Sequence, residues 1–313
     1  MKDQTPRRIG LLISKHLGLS CFEALVAAVP EQIAFVVTLS DLDDPRSAHD
    51  QIVATARARG IPCTVALTRE ESERVITESD ADLCLAVCWY WFMSGRVRER
   101  MPLGIVGIHN SLLPKYRGGS PLVWALINGE RLVGVSLFTL AASMDTGDIW
   151  AQETVEVERH DYVEDVLRKL EAKSIDIVRT ALPAVLHGQI QPVVQHHTQA
   201  SYCAQRTASD GQIDWNWPAE RIRNFIRAQS IPYPGAFTQI DSRRLTIWRA
   251  DVLDRPHYGR PGQVVRTDGL SALVATADAK ALVLQQVSVD GEAVQPSKIC
   301  RPGKSLGLTV PDA

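Results

Sequence analysis

Short apolar runs alternate with helix-forming segments over the first third of this chain. The apolar runs lie at residues 8–14, 33–39, 63–67 and 82–88, and the helical segments between them lie at 22–29, 49–59 and 69–79. Runs of this length without polar alternation are typical of strands that helices cover on both faces, as in parallel sheets. We therefore expect an α/β fold built on a parallel, Rossmann-like sheet. No Gly-x-Gly-x-x-Gly turn follows the first strand, which argues against a dinucleotide site.

A second feature is the stretch 105–121, which leads from a buried strand through an irregular loop into a helix. The strand ends at His109, and Ser120 and Pro121 are residue types preferred at the start of the helix that follows. Another apolar run, at 133–138, is followed by a turn that contains Asp145. Functional groups of open α/β sheets gather at the carboxyl ends of the strands. The two turns are therefore the candidate site.

Histidine and aspartate in these turns suit proton transfer. A strand-end histidine is, on its own, more often a hydrogen-bonded structural residue than a catalyst. Its imidazole titrates near neutral pH, however, so it can exchange protons with a reacting group. A carboxylate beside it can hold the ring in orientation and accept a proton.

The two turns resemble the signature of the folate-dependent formyltransferases, which include the methionyl-tRNA, glycinamide ribonucleotide and nucleotide-sugar formyltransferases. The family loop reads Asn-x-His-x-Ser-Leu-Leu-Pro with a following Arg-Gly, and residues 109–114 and 117–118 match it. The resemblance implies an N-formyltransferase with 10-formyltetrahydrofolate as formyl donor. It implies catalytic roles for His109 and Asp145, whereas Asp148 is expected to support the Asp145 turn.

The family's asparagine falls on Gly107, so the hydrogen-bond donor to the formyl oxygen needs another source. Losing one such donor typically costs about 3–4 kcal/mol of transition-state stabilisation. Asn110 or Ser111, a backbone N–H, or an ordered water could replace it, and Asn110 is included among the predicted catalytic residues. We expect Gly107→Asn to preserve or raise the rate if the pocket otherwise has the family's shape. The remaining alternative is a folate-binding homologue with weak or different one-carbon chemistry.

Five bulky residues, Trp89 to Met93, follow the strand at 82–88. They suit core packing and a flat heterocycle about equally well. The resemblance assigns the pterin ring to this loop and to the turn before Asp145. The implied folate-binding residues are Trp91, Phe92, Met93, Ala141, Ala142, Ser143 and Met144.

The pattern changes in the second half of the chain. An amphipathic helix at 161–186 is followed by a polar stretch at 189–205, which we interpret as a surface linker. Short apolar runs at 236–240, 245–250, 262–265, 272–275 and 282–289 then predict a small antiparallel, OB-like β-barrel. The predicted domains are thus residues 1–188, formyltransferase, and 206–313, barrel. Motifs between residues 201 and 237 resemble the C-terminal domain of methionyl-tRNA and aminoarabinose-type formyltransferases.

Charge favours a small amine as acceptor over a tRNA. The net charge is −2, and the loop 40–46 carries three aspartates and one arginine, which offers nothing to a phosphate backbone. An amino group on a nucleotide-linked sugar, or on an amino acid or hydroxylamine, is therefore expected, with methionyl-tRNA as the alternative. Lys115, Tyr116 and Arg117 could meet a diphosphate, although Arg117 could instead pin the loop. No nucleic-acid partner is expected, and a homodimer is compatible with the sequence.

The sequence also predicts a cytoplasmic protein without a bound metal. The N-terminus lacks the features of a signal peptide, and no apolar run reaches the length of a membrane span. The six cysteines show no paired metal spacing. Cys84 and Cys88 are expected to be buried thiols, and the adjacent His196 and His197 are expected to be solvated rather than metal-bound.

Overall fold

The computed structural model describes residues 6–44 and 46–307. Two compact units emerge from it. The first comprises the described residues up to Gly118 together with Gly134–Val155 and Lys169–Tyr202. The second comprises Gly119–Val133, Glu156–Arg168 and the described residues from Cys203 onwards.

The predicted helices and strands are present in the predicted order. In chain order they are β1 (Ile9–Ile13), α1 (Lys15–Ala28), β2 (Ile33–Leu39), α2 (His49–Ala58), β3 (Cys63–Ala66), α3 (Arg69–Glu78), β4 (Leu83–Val87), α4 (Gly95–Arg100), β5 (Ile105–His109), β6 (Arg117–Gly118), α5 (Pro121–Ile127), β7 (Leu132–Thr139), β8 (Ile149–Glu156), α6 (Val163–Leu186), β9 (Tyr202–Cys203), α7 (Ala219–Gln229), β10 (Ala236–Ile240), β11 (Arg243–Leu253), β12 (Val264–Asp268), β13 (Ser271–Ala275), β14 (Ala281–Val289), β15 (Glu292–Val294) and α8 (Pro296–Ile299). Of these, α4, β6, β8, β9, β15 and α8 are additional to the predicted elements. None of the helices described is long and apolar enough to cross a membrane.

The first unit is built on a seven-stranded sheet with the order β3-β2-β1-β4-β5-β7-β8. Strands β1 to β5 pair in parallel, and every residue of β1 and β4 is buried, which confirms the predicted Rossmann-like α/β sheet. The sheet is mixed rather than wholly parallel, because β7 runs antiparallel to β5. The strand order reverses at β1, between β2 and β4, and open sheets of this kind bind ligands in the crevice at the carboxyl ends of such strands.

Helix α1 begins at Lys15, earlier than the predicted start at residue 22. The added residues include Gly18, although glycine is unfavourable inside a helix. In the structure, Gly18 lets the helix lie close to the sheet, since a β-carbon there would be 3.1 Å from Cβ of Ile13. The close packing of the helix on β1 explains the glycine.

The second unit contains an antiparallel sheet with the order β10-β11-β14-β13-β12, and β15 pairs with β14. The segment near residue 306 joins the two outer strands, because Leu306 N–H donates to Gly262 O beside β12 and Gly307 N–H donates to Gln239 O of β10. The predicted antiparallel C-terminal domain is therefore confirmed, and this segment closes the sheet in the manner of a small barrel.

The stretch at 189–205 is more than a surface linker. Val193 forms a bridge with Ile149 at the start of β8, and Gln195 is only 4% exposed. The interpretation as a surface linker was therefore wrong at Gln195, whereas Val193 is exposed. The domain boundaries drawn from the sequence stay a prediction.

Candidate active site

His109 is the last residue of β5, and both of its ring nitrogens have neighbours. Nε2 lies 2.8 Å from the carbonyl oxygen of Tyr116, and Nδ1 lies 3.7 Å from Oδ2 of Asp145. The ring also contacts Phe138 edge to face, with centroids 6.1 Å apart. Because a carbonyl only accepts hydrogen bonds, Nε2 carries the proton, and Nδ1 is the nitrogen that faces the carboxylate.

Asp145 lies in the turn after β7 with a left-handed backbone, φ +53°. Asparagine and aspartate tolerate this region better than most residues. Its Oδ2 accepts a hydrogen bond of 2.7 Å from the backbone N–H of Gly118. The two signature turns, far apart in sequence, are therefore joined at the carboxylate, and the structure brings His109 and Asp145 together as predicted.

A buried arginine supports both turns from behind. Arg117 is 1% exposed, and its Nε donates to Oε1 of Gln195 over 3.1 Å. The side-chain amide of Gln195 in turn donates to the carbonyl oxygens of Asp145 and Gly147, at 2.9 and 2.6 Å. Arg117 therefore pins the loop, which was one of the two predicted roles, and its burial leaves it no access to a diphosphate.

Gln195 was not predicted as part of the site. It lies in a polar tract with several other glutamines, and nothing in its local pattern distinguishes it from them. The same tract fixes Tyr116, whose backbone N–H donates to Oγ of Ser201 over 2.9 Å. His197, expected to be solvated, is exposed but its Nδ1 lies 2.9 Å from Nη2 of Arg117.

A cleft of ≈ 360 Å³ opens beside His109 and Asp145. This volume falls within the range of small-molecule sites. Of the predicted folate-binding residues, Trp91, Phe92, Met93, Ala141, Ser143 and Met144 line it. Ala142 and Asn110 are not among the lining residues, so the catalytic role predicted for Asn110 finds no support in this geometry.

Cys88 also lines the cleft and is exposed, so its predicted burial was wrong, whereas Cys84 is buried.

The aromatic loop after β4 divides between core and cleft. Met93 is 4% exposed and belongs to the core beneath the sheet, with Trp89 and Trp91 packed against it. Phe92 is instead 61% exposed at the cleft. Core packing and ligand contact, weighed equally from the sequence, therefore both occur, on different residues of one loop.

This loop has hydrogen-bonding capacity that the described protein atoms leave unused. The indole N–H of Trp89, a cleft-lining residue, is buried without a partner. Across residues 6–44 and 46–307, no hydrogen bond engages the main chain of residues 89–92. A buried donor without a partner is costly and needs an explanation, and a ligand bound in the cleft would give the Trp89 N–H a partner. A flat heterocycle with donors and acceptors at its edge fits these groups.

The described residues contain no cluster of three or more side chains able to hold a metal ion. The arrangement instead combines an imidazole, a carboxylate and an apolar cleft, which suits proton transfer beside a bound organic molecule.

Comparison with known proteins identifies the family. Residues 13–182 match the formyl transferase family, and residues 206–301 match the formyl transferase C-terminal domain. A methionyl-tRNA formyltransferase of Staphylococcus aureus is 30% identical over 223 residues, which are 71% of this chain and 71% of that enzyme.

Solved structures share the fold at low sequence identity. The sugar 3N-formyl transferase WlaRD, determined in the presence of dTDP and 5-N-formyl-THF, superposes with a TM-score of 0.70 at 16% identity, covering 92% of this chain and 100% of that one. An N-formyltransferase from Helicobacter canadensis, in complex with folinic acid and dTDP-3-aminofucose, gives a TM-score of 0.69 at 15% identity, covering 89% and 98%. The chain belongs to the formyl transferase family, and it is an N-formyltransferase whose formyl donor is 10-formyltetrahydrofolate.

Proposed function

We propose that this formyltransferase transfers the formyl group to the amino group of a small acceptor. The acceptor class is a nucleotide-linked amino sugar, or an amino acid or hydroxylamine of a biosynthetic pathway. The observation that carries the proposal is that Arg46, the one arginine of the loop between β2 and α2, and Lys15 beneath the loop both pair with aspartates of that loop.

This loop offers no free positive charge to a tRNA. Its single arginine, Arg46, donates from Nε and Nη2 to the carboxylate of Asp44 at 3.0 and 2.8 Å. The buried Nζ of Lys15, beneath the loop, lies 2.5 Å from Asp41 and 2.8 Å from Asp44. Binding to nucleic acid depends on cations that can replace counterions along the phosphate backbone. These cations are already paired, which favours a small acceptor.

Known relatives of the same fold support a sugar acceptor. The H. canadensis enzyme was determined with dTDP-3-aminofucose, and WlaRD with dTDP. These relatives share the fold at 16% and 15% identity, and the paired charges of the loop at 40–46 are the first reason to favour a small acceptor.

In the proposed mechanism, His109 takes the proton of the attacking amine. The donor, when bound, supplies an activated formyl carbon. Because Nε2 of His109 donates to Tyr116 O, the neutral ring presents the lone pair of Nδ1. Asp145 lies 3.7 Å from this nitrogen and stabilises the positive charge that forms there. The amine proton thus passes to Nδ1 and then to the departing folate nitrogen, so the protons balance. Catalytic contacts of this kind often shorten when substrate is bound.

The predicted folate-binding residues of the loop at 91–93 and the turn at 141–144 are proposed to hold the pterin. Their support is the cleft that most of them line and the unpartnered donors of the aromatic loop. The ring would be held by main-chain groups and by aromatic contact, so side-chain identity matters less there than at His109.

Methionyl-tRNA is the second candidate acceptor. The S. aureus relative, at 30% identity, carries that name. This function would need a cationic surface elsewhere on the chain, since the loop at 40–46 does not provide one.

The test is incubation with 10-formyltetrahydrofolate and a panel of acceptors, with release of tetrahydrofolate as the readout. We expect turnover with a small amine and negligible formylation of initiator methionyl-tRNA at matched enzyme concentration. Efficient, salt-sensitive formylation of the tRNA would overturn the small-acceptor proposal. Donor binding without turnover on any acceptor would favour a folate-binding homologue with altered chemistry.

A further inference from the structure

Arg98 is the single permanently cationic side chain among the described residues that line the cleft. Most of the other lining residues are apolar or aromatic, and Asp145 is the lining carboxylate. A guanidinium in such surroundings interacts strongly with a ligand carboxylate, because its planar donors match the two oxygens. At the position of Arg98, the cleft therefore favours a negatively charged ligand group. The pterin ring does not explain this preference.

The position of Arg98 is fixed by the short helix α4 and by one hydrogen bond. Val97 on this helix and Met101 just after it are 1% and 3% exposed, so the helix is anchored in the core on one side, whereas Glu99 is exposed. Nη1 of Arg98 donates to the carbonyl oxygen of Met93 over 2.7 Å. Met93 belongs to the cleft wall, so this bond holds the guanidinium beside the surface proposed to receive the donor.

Within residues 6–44 and 46–307, Arg98 forms no ion pair. By contrast, Arg46 and Lys15 at the neighbouring strand ends are paired with aspartates. A half-buried cation without a carboxylate partner gains most from an anionic ligand, because water screens the interaction less there than on an open surface.

We propose that Arg98 binds the glutamate carboxylates of the folate donor and so discriminates folates from pterins that lack this tail. Folates end in a glutamate, whose carboxyl groups are ionised at neutral pH. The inference rests on the proposed placement of the pterin in this cleft. It assigns Arg98 to binding of the donor and gives it no part in the proton transfer at His109.

The experiment compares two donors, 10-formyltetrahydrofolate and 10-formyltetrahydropteroate, which lacks the glutamate. In Arg98→Gln, KM for the folate donor should rise about tenfold, the loss typical of a hydrogen bond to a charged group. KM for the pteroate donor and kcat for both donors should stay near the wild-type values. Arg96→Gln is the matched control, since Arg96 lies on the same helix but lines a separate surface depression with Thr77 and Arg100.

Three outcomes bear on the inference. Unchanged discrimination between the donors in Arg98→Gln would overturn it. An equal loss with both donors would also overturn it, because it would show that Arg98 only holds the loop through Met93. If wild type turns over neither donor with any acceptor, while circular dichroism shows a folded protein and a folate still binds with Arg98-dependent affinity, the proposed function fails and the inference stands.

Discussion

Leu140 occupies the space in front of Gly107. Its Cδ2 atom lies 2.9 Å from the point that a β-carbon on residue 107 would occupy. Gly107 is also held within the sheet, where it pairs with Ala86 of β4 and Phe138 of β7. The missing side chain at residue 107 and the bulk of Leu140 are therefore two parts of one packing arrangement in the cleft wall.

Gly107→Asn alone should consequently lower the formyl-transfer rate, which revises the expectation from sequence. Inserting a side chain into a packed site of this kind typically lowers the free energy of unfolding by about 1–3 kcal/mol. The double variant Gly107→Asn/Leu140→Ala has room for the amide, and its kcat should exceed that of Leu140→Ala by about a hundredfold if the amide reaches the formyl oxygen. Steady-state tetrahydrofolate release from all three variants decides the matter. A double variant no faster than Leu140→Ala would show that a side chain at 107 does not serve as the missing donor.

His109→Ala should reduce kcat by about a hundred- to ten-thousandfold, as expected for loss of a general base. Asp145→Asn should act in the same direction, because the amide cannot stabilise a charged imidazole. Asp148→Asn is the matched control: its backbone carbonyl accepts from Thr139 N–H, which the substitution retains. Circular dichroism should show all three variants folded. Near-normal turnover in His109→Ala would remove His109 from the mechanism.

Gln195→Leu should act mainly on kcat, which should fall, and should change KM less. The reason is that the variant removes the amide that positions the Asp145 turn. The variant also leaves buried hydrogen-bonding groups with one partner fewer, at a cost of about 1–3 kcal/mol of unfolding free energy. Gln195→Glu separates the two effects, since a carboxylate still accepts from Arg117 but cannot donate to Asp145 O. We expect it to recover only the part of the unfolding free energy that the Arg117 contact supplies, measured in urea, without recovering kcat, because the carbonyls of Asp145 and Gly147 lose their donor. Gln191→Leu, at an exposed position of the same tract, should match wild type in both measurements.

Asp41→Asn should lower the unfolding free energy at neutral pH by about 1.5–3 kcal/mol, the range for hydrogen bonds to charged groups. The burial of Asp41 opposes its charged form, but hydrogen bonds from Lys15 and Ser47 outweigh burial and lower its pKa. For Lys15, burial likewise opposes the charge, and hydrogen bonds to Asp41, Asp44 and Tyr90 outweigh it and raise the pKa. Asp43→Asn, an exposed carboxylate of the same loop, is the control and should change little.

The pH dependence of this difference follows from the two directions. A lowered carboxyl pKa stabilises the fold above the ordinary pKa of aspartate, and that contribution is lost as pH falls through the lowered value. A raised lysine pKa stabilises the fold below the ordinary pKa of lysine, and that contribution is lost as pH rises through the raised value. The gap between wild type and Asp41→Asn should therefore be flat from about pH 5 to 9 and shrink in acid. A gap that grows below pH 5 would contradict the assignment.

The sheet was predictable because burial on both faces leaves a continuous apolar run in each strand, as β1 and β4 show. His109 and Asp145 were predictable because His109 ends one apolar strand, Asp145 lies in the turn after another, and both turns resemble the family's signature. Gln195 and Leu140 were not, since their roles depend on contacts across the fold that no local spacing encodes. Lys15 was missed for a related reason: its partners, Asp41 and Asp44, follow a different strand, and pairing a charged run with a distant cation requires the strand order.

The anchoring of Asp145 by Gln195, and of Tyr116 by Ser201, bears on how such a chain can be rearranged. A chain ending at residue 188 would retain all seven strands of the sheet. It would lack Gln195 and Ser201, which hold the two signature turns in position. We expect such a chain to lose most of its formyl-transfer activity, because Asp145 O and Tyr116 N–H would lack these partners. The barrel at the C-terminus is therefore exchangeable among relatives only if the polar tract at 195–201 is inherited together with the sheet.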